Sequence, residues 1–403
     1  MIKSKYLFHL YSYNDTDHIT PIIFEFIKNN ENVEILYLSN YKFENDYRIN
    51  FLIKNKKVKV SRSSKLIFLL NKIFYGRLAT FFRTIFSKRL NVFLTKIFHP
   101  NLKNTCCVIY WWTGPYQINF QPSKYLSIPV ICIPHGLNIF KNRDINNHIS
   151  QTRLKHGDWP DLSDRNLFDY YILQSRRHLE ISYDFGQSYE NLKVWGSARF
   201  DPLWSKLNLS LLKDFSPKIP NSNLLKVVFF LPHWSYNVNV NQCIKSIEKI
   251  SMIENIFIVV KGHSRGSSSI NNNESENFKK NKVILNSEAH SSSIIKWSDL
   301  VINFGSSIGI EAFLQKKIMI NPTYLHTNQT IFDDNKLTYV SKSIDETVEL
   351  IQKAKKNKLK LPNKSDLEVF FKKEIYGDND AYNVPLSYFK KIKKISKKWT
   401  LNE

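Results

Sequence analysis

Short apolar runs alternate with amphipathic stretches along most of the chain. In the first half, Tyr6 to Tyr13, Val33 to Ser39, Cys106 to Trp112, Ile128 to Ile133, Tyr170 to Leu173 and Leu192 to Trp195 stand out. Runs of this length, bounded by Gly, Pro, Asn or Ser, predict buried parallel strands. Ile19 to Lys28 has helical spacing and predicts the first connecting helix. A second series begins at Leu225 to Leu231 and continues through Ile256 to Val260, Val283 to Leu285, Leu300 to Asn303 and Ile318 to Ile320. Helices are predicted near Gln242 to Met252, near Ser291 to Trp297, and from Ser306. Between the series, Leu207 to Asn223 is rich in Ser, Lys, Asn and Pro and reads as a linker. The pattern therefore predicts an α/β chain with two Rossmann-like domains facing a cleft. Residues 1–206 are expected to form the first domain, 207–223 the linker and 224–380 the second domain. Residues 381–403 are expected to form a basic C-terminal helix.

Charge adds to this picture. The chain has 58 Lys and Arg against 35 Asp and Glu, a net charge of +23, which attracts phosphates, nucleotides, anionic lipid or nucleic acid. No RRM, KH, zinc-finger or helix-turn-helix pattern is present. A nucleic-acid-binding protein is thus the non-enzyme alternative, and the expected reading involves no nucleic acid. Cys106, Cys107, Cys132 and Cys243 include no CxxC pair, so no disulfide framework or zinc ribbon is indicated. The first residues read as a strand rather than a signal peptide, and no run reaches the ~18 apolar residues of a membrane span. A reduced, cytoplasmic protein is expected.

Four strand ends carry candidate chemistry. Leu300 to Asn303 runs through Phe304 and Gly305 into Ser306 and Ser307, with Glu311 a turn further on. Backbone N–H groups and hydroxyls at such a turn suit a phosphate, and Glu311 suits the hydroxyls of a ribose. The plainer alternative is that the serines cap the helix and Glu311 makes a structural hydrogen bond. Val259-Val260 leads into Lys261-Gly262-His263-Ser264-Arg265, where Lys261 and Arg265 would neutralise a departing phosphate and His263 would donate to it. Ile131 to Ile133 ends in Pro134-His135-Gly136. Gly136 permits a tight turn, and His135 is a candidate general base of near-neutral pKa. Gly196 to Asp201 forms a strand–turn unit in which Arg199 either pairs with Asp201 or contacts substrate.

Taken in order, Pro134-His135-Gly136, Gly196 to Asp201, Lys261-Gly262-His263, and Ser298-Asp299 through Ser306, Ser307 and Glu311 resemble a GT-B glycosyltransferase. The likeness is to bacterial surface-polysaccharide transferases, of capsule or lipopolysaccharide, and the related CDP-glycerol glycerophosphotransferases. It covers about residues 125 to 325 in scattered motifs. The resemblance implies metal-independent catalysis without a cofactor and a nucleotide-sugar donor bound by the second domain. It implies His135 and His263 as the catalytic histidines, and Ser306, Ser307 and Glu311 as donor contacts. Two departures appear: Lys261-Gly262-His263-Ser264 stands where the family has Lys-x-His-Pro, and Asn303 to Ser307 where the glycerophosphotransferases have Asp-Tyr-Ser-Ser. The second favours sugar transfer, possible donors including a CMP-linked acidic sugar such as Kdo, over transfer of a polyol phosphate from a CDP-alcohol.

The expected acceptor is a glycan or lipid-linked glycan. Lys65 to Phe98 carries Lys65, Lys72, Arg77, Arg83, Lys88, Arg89 and Lys96 with interleaved aromatics and no acidic residue. Such a stretch suits docking on an anionic membrane surface, at the inner face of the bacterial cytoplasmic membrane. The same apolar residues also suit the core face of ordinary helices.

Overall fold

A computed structural model describes residues 5–63, 99–115, 117–146, 149–151, 153, 160–218, 223–263, 283–286, 288–333, 336–378 and 383–401. The chain divides into two compact units. The first comprises Met1–Leu137, Asp161–Trp204 and Lys372–Glu403, and the second Asn138–Pro160 and Ser205–Phe371. The stretch Lys65 to Phe98 and the residue Arg265 lie outside the described residues.

The first unit is built on seven strands: β1 (Lys5–Leu10), β2 (Asn32–Tyr37), β3 (Val58–Arg62), β4 (Thr105–Trp111), β5 (Val130–Ile133), β6 (Tyr170–Leu173) and β7 (Leu192–Val194). They lie in the order β3-β2-β1-β4-β5-β6-β7, and every pairing is parallel. The apolar runs form the central strands because both faces are covered; Leu7, Phe8, Ile35, Ile109, Ile131 and Ile172 are fully buried. Strand β1 is shorter than the apolar run suggests. Ser12 and Asp15 form a reciprocal capping box, so helix α1 (Tyr13–Lys28) begins where strand was expected. Helix α2 (Tyr47–Leu52) follows β2, α3 (Phe120–Tyr125) precedes β5, and α4 (Arg177–Asp184) follows β6.

The second unit has six parallel strands: β8 (Leu225–Phe230), β9 (Ile256–Lys261), β10 (Ile284–Asn286), β11 (Leu300–Asn303), β12 (Ile318–Pro322) and β13 (Tyr339–Ser341). Their order is β10-β9-β8-β11-β12-β13. A core of Val227, Phe229, Ile247, Ile258, Ile302 and Ile351 joins this sheet to its helices. Among the described residues the helices are α5 (Pro202–Leu211), α6 (Val240–Ser251), α7 (Ser291–Trp297), α8 (Ile308–Leu314), α9 (Ile344–Lys355) and α10 (Lys364–Glu374), of which α6 and α9 supply this core. The boundary between units falls within α5, and α10 likewise continues past it.

Three expectations about organisation change. The linker placed at 207–223 is helical as far as Leu211, because Asp201 accepts from the Leu203 and Trp204 amides and starts α5 upstream. Residues 138–146 belong to the second unit: Phe140 bridges Thr330, and Lys141 and Ile139 exchange backbone hydrogen bonds with Gln329 and Ile331. Residues from 372 onwards belong to the first unit. The basic C-terminal helix, α11 (Val384–Leu401), packs on α1 rather than standing apart. Phe389 meets Phe26 edge-on at 5.0 Å, Ile392 is fully buried, and Lys393 pairs with Glu31 at 2.6 Å. Among the described residues no helix is long and apolar enough to cross a membrane.

Candidate active site

In both sheets the first strand of the series lies between neighbours reached in opposite chain directions, β1 between β2 and β4, and β8 between β9 and β11. In open α/β sheets such switch points, at the strands' carboxyl ends, are where ligands bind. Lys261 closes β9, Ser306 and Ser307 follow β11, and His135 follows β5.

In the second unit, β11 ends at Asn303, and Gly305 takes a left-handed φ of +60°. Helix α8 starts two residues later than expected, with Ser307 as its N-cap. The Ser307 hydroxyl makes no capping bond, and Ser306 Oγ accepts only a long contact from Ile308 N at 3.4 Å. Asn303 Nδ2 holds the turn by donating to Ser306 O at 3.0 Å. Two half-buried hydroxyls are thus presented at a strand end without strong use by the helix. Glu311, the expected ribose contact, lies in α8. It is 1% exposed and accepts from Ser205 Oγ at 3.1 Å and Gln315 Nε2 at 3.4 Å, the structural hydrogen bond of the plainer alternative.

Strand β9 ends at Lys261, whose ammonium is largely buried; desolvation holds its pKa below the ordinary lysine value. Its neighbour His263 is half-buried. The rings of His263 and His233 meet edge-on with centroids 5.5 Å apart. His233 Nδ1 is engaged by Ser235 Oγ at 2.6 Å and by Ser235 N at 3.2 Å, which fixes the ring. The sequence reading overlooked His233, although Leu231-Pro232-His233 follows β8 just as Lys261-Gly262-His263 closes β9. The same strand-end criterion finds it.

In the first unit, His135 follows β5 and keeps 35% of its side chain exposed. Its Nδ1 lies 4.0 Å from Asp15 Oδ1, and its ring meets Trp112 edge-on at 6.2 Å. The chain bends at His135 and Gly136, but Gly136 has no left-handed φ and an added Cβ there would meet nothing within 4 Å. The true backbone constraint is at Gly196, φ +89°, where a Cβ would come within 2.6 Å of Ile375 O.

Arg199 neither pairs with Asp201 nor stands open to solvent. It is 6% exposed, and its Nε binds Asp17 Oδ2 at 2.5 Å. Asp17 also pairs with Arg48, whose other end binds Asp46 at 2.6 Å. Asp201 instead caps two helices, accepting from Leu203 and Trp204 in α5 and from Asn383 and Val384 at the start of α11. Among the described residues, Asp17, Asp46, Arg48 and Arg199 form a buried network in which each of these charges has an opposite partner where desolvation would otherwise be costly. His18 lies among them, and burial lowers its pKa to about 3, keeping the imidazole neutral. Among the described residues no three His, Cys, Asp or Glu side chains gather as a metal site would need.

No protein-family model matches the chain. No curated protein matches it either. Solved structures do. The chain is similar to Neisseria meningitidis UDP-GlcNAc 2-epimerase bound to UDP-GlcNAc, with a TM-score of 0.55 and 12% identity over 99% of this chain and 100% of that one. The Staphylococcus aureus MnaA–UDP complex gives a TM-score of 0.54 at 10% identity, covering 99% and 97%. The Rickettsia bellii UDP-GlcNAc 2-epimerase gives 0.55 at 11%, covering 98% and 96%. These matches span both units. The fold is the α/β GT-B class, with two Rossmann-like units.

Proposed function

We propose that this chain is an enzyme of nucleotide-activated sugars, a glycosyltransferase that moves a sugar from its nucleotide donor to a surface-polysaccharide acceptor. The observation that carries the reading is the turn after β11, where the Ser306 and Ser307 hydroxyls face a strand end with little capping work to do. Lys261 and His263, at the end of another strand of the same sheet, supply cationic and proton-donating groups for a phosphate. In the proposed reaction His135 takes the acceptor hydroxyl's proton as that oxygen bonds to the anomeric carbon. The bond from that carbon to the phosphate oxygen breaks, and Lys261 offsets the charge left on the nucleotide. Arg265 belongs to the same donor segment. The motif resemblance supports the polysaccharide acceptor, and the basic stretch Lys65 to Phe98 supports docking at an anionic membrane surface.

Thermal shift with UDP, CDP and CMP tests the donor site, because a ligand at 100 times its Kd stabilises the native state by about 2.7 kcal/mol. Ser306→Ala with Ser307→Ala is expected to abolish the shift while leaving the unliganded melting temperature within a few degrees. Unchanged nucleotide affinity in the folded double variant would remove the site.

A second reading is favoured by the solved structures named above: epimerisation at C2 of a UDP-sugar, with no acceptor. The two separate in deuterated buffer. An epimerase incorporates deuterium at C2 of UDP-GlcNAc supplied alone, whereas a transferase leaves C2 protonated and releases nucleotide only when acceptor is added.

A further inference from the structure

At the carboxyl edge of the first sheet a half-exposed imidazole faces a buried carboxylate. Asp15 is 1% exposed, and its Oδ2 accepts from Tyr11 N at 2.8 Å, Ser12 N at 2.6 Å and Ser12 Oγ at 3.1 Å. These three donors come from the loop joining β1 to α1, so the carboxylate cannot swing away without giving up the helix's capping box. Its other oxygen, Oδ1, stands 4.0 Å from His135 Nδ1. The charged groups described nearby have partners or surroundings of their own. Asp17 spends its charge on Arg48 and Arg199. His18, close enough to feel His135 electrostatically, is held neutral by burial. Trp112 offers His135 only a ring edge.

We propose that Asp15 is the positioning residue for His135. Closing by about 1 Å brings Nδ1–H into hydrogen-bond range of Oδ1. That bond selects the tautomer whose Nε2 is bare and turned outward, and the negative charge strengthens Nε2 as a base. A fixed orienting group behind a base is what general-base catalysis requires of an imidazole. The role rests on His135 being the base of the proposed transfer.

The test is nitrogen-correlated NMR of the His135 ring through a pH titration of the full chain, beside the pH profile of kcat/KM. In the wild type the ring is expected in the Nδ1–H form, with its pKa about one unit above the ordinary value, at the low end of the ~1–3 units an opposite charge at 4–6 Å produces. Asp15→Asn keeps an oxygen for the Tyr11 and Ser12 amides, so it is expected to fold. It should return the ring to the ordinary pKa, lower kcat/KM about tenfold and move its acid limb down by the same unit. Ser12→Ala weakens the cap but keeps the charge, and should leave the ring unshifted. A wild-type ring in the Nε2–H form, or a pKa unchanged by Asp15→Asn, overturns the proposal whatever any variant's stability. An unshifted ring together with lost turnover in His135→Ala would remove the pairing but keep the base. Near-normal turnover in His135→Ala would remove the base, and the positioning role with it.

Discussion

His9 and His18 show how burial alone sets a residue's behaviour. Both are enclosed, and desolvation lowers each pKa to about 3. His9 stacks on Tyr110 at 4.4 Å and meets the Asn119 amide, while His18 lies edge-on to Phe200. In the unfolded chain each imidazole titrates near 6.5. Between that value and about 3 the unfolded chain therefore holds protons that the native one refuses. Stability is fully present above pH 6.5 and drains away as pH falls below it, by up to about 2 kcal/mol per histidine at pH 5. His18→Phe should keep the contact with Phe200 and flatten the loss of urea midpoint between pH 7 and pH 5. An equally steep loss in that variant would show that His18 is not a source of it. Part of this scale was legible in the sequence. His135, Lys261 and His263 stand just past or at the end of apolar runs, which marks them as strand-end residues. The partnership of Arg199 with Asp17 was not, because 182 residues separate them and only the fold brings them together. Asp201, beside Arg199 in sequence, was the wrong partner because its carboxylate is spent on four backbone amides.

At the scale of elements, the buried central strands were legible, as were the edge strands β7 and β10, but the edges β3 and β13 were not. Strand β3 has partly buried Val58, Val60 and Ser61 beside exposed Lys59 and Arg62, and strands β3 and β13 each have a neighbour on one side only. A half-covered strand needs no continuous apolar run, so the signal that found β4 and β5 was absent. Glycine followed the same logic. The sequence drew attention to Gly136, whose conformation any residue could adopt, whereas Gly196 and Gly377 carry left-handed φ values of +89° and +62°. Their backbones pass so closely that Ser197 N donates to Ile375 O at 2.6 Å and Asp378 N to Val194 O at 3.2 Å. Gly196→Ala would drive a Cβ into Ile375 O and Tyr376, and a residue other than Gly at positive φ adds strain of order 1–3 kcal/mol. The variant should lose at least that much stability by urea denaturation. A loss below about 1 kcal/mol would mean that the 375–378 segment is not held against β7.

On the scale of the whole molecule, two α/β series were legible, but the path of the chain between them was not. Sequence order suggests one unit finished before the next begins, yet the chain leaves the first unit after Leu137, returns at Asp161, leaves again after Trp204 and returns at Lys372. The last return supplies α11, whose amphipathic pattern resembles that of a solvated basic helix. Its buried face is made of Val384, Tyr388, Phe389 and Ile392. Tyr388 donates to Gly196 O at 2.8 Å and packs edge-on against Trp195. Each such side chain contributes roughly 1.5–3 kcal/mol by burial, so losing the helix removes an amount comparable with the ~5–15 kcal/mol by which a domain is stable. Ending the chain after Asn383 should therefore unfold the first unit, although the deleted residues lie far in sequence from β1 and α1. The second unit contains none of α11, and its sheet, with Lys261, Ser306 and Ser307, should persist. Scanning calorimetry of the truncated chain is expected to keep a single transition that a binding nucleotide still raises. Loss of both transitions would show that the second unit depends on the first. Retention of both would show that α11 is an accessory helix, and that the first unit's core closes without it.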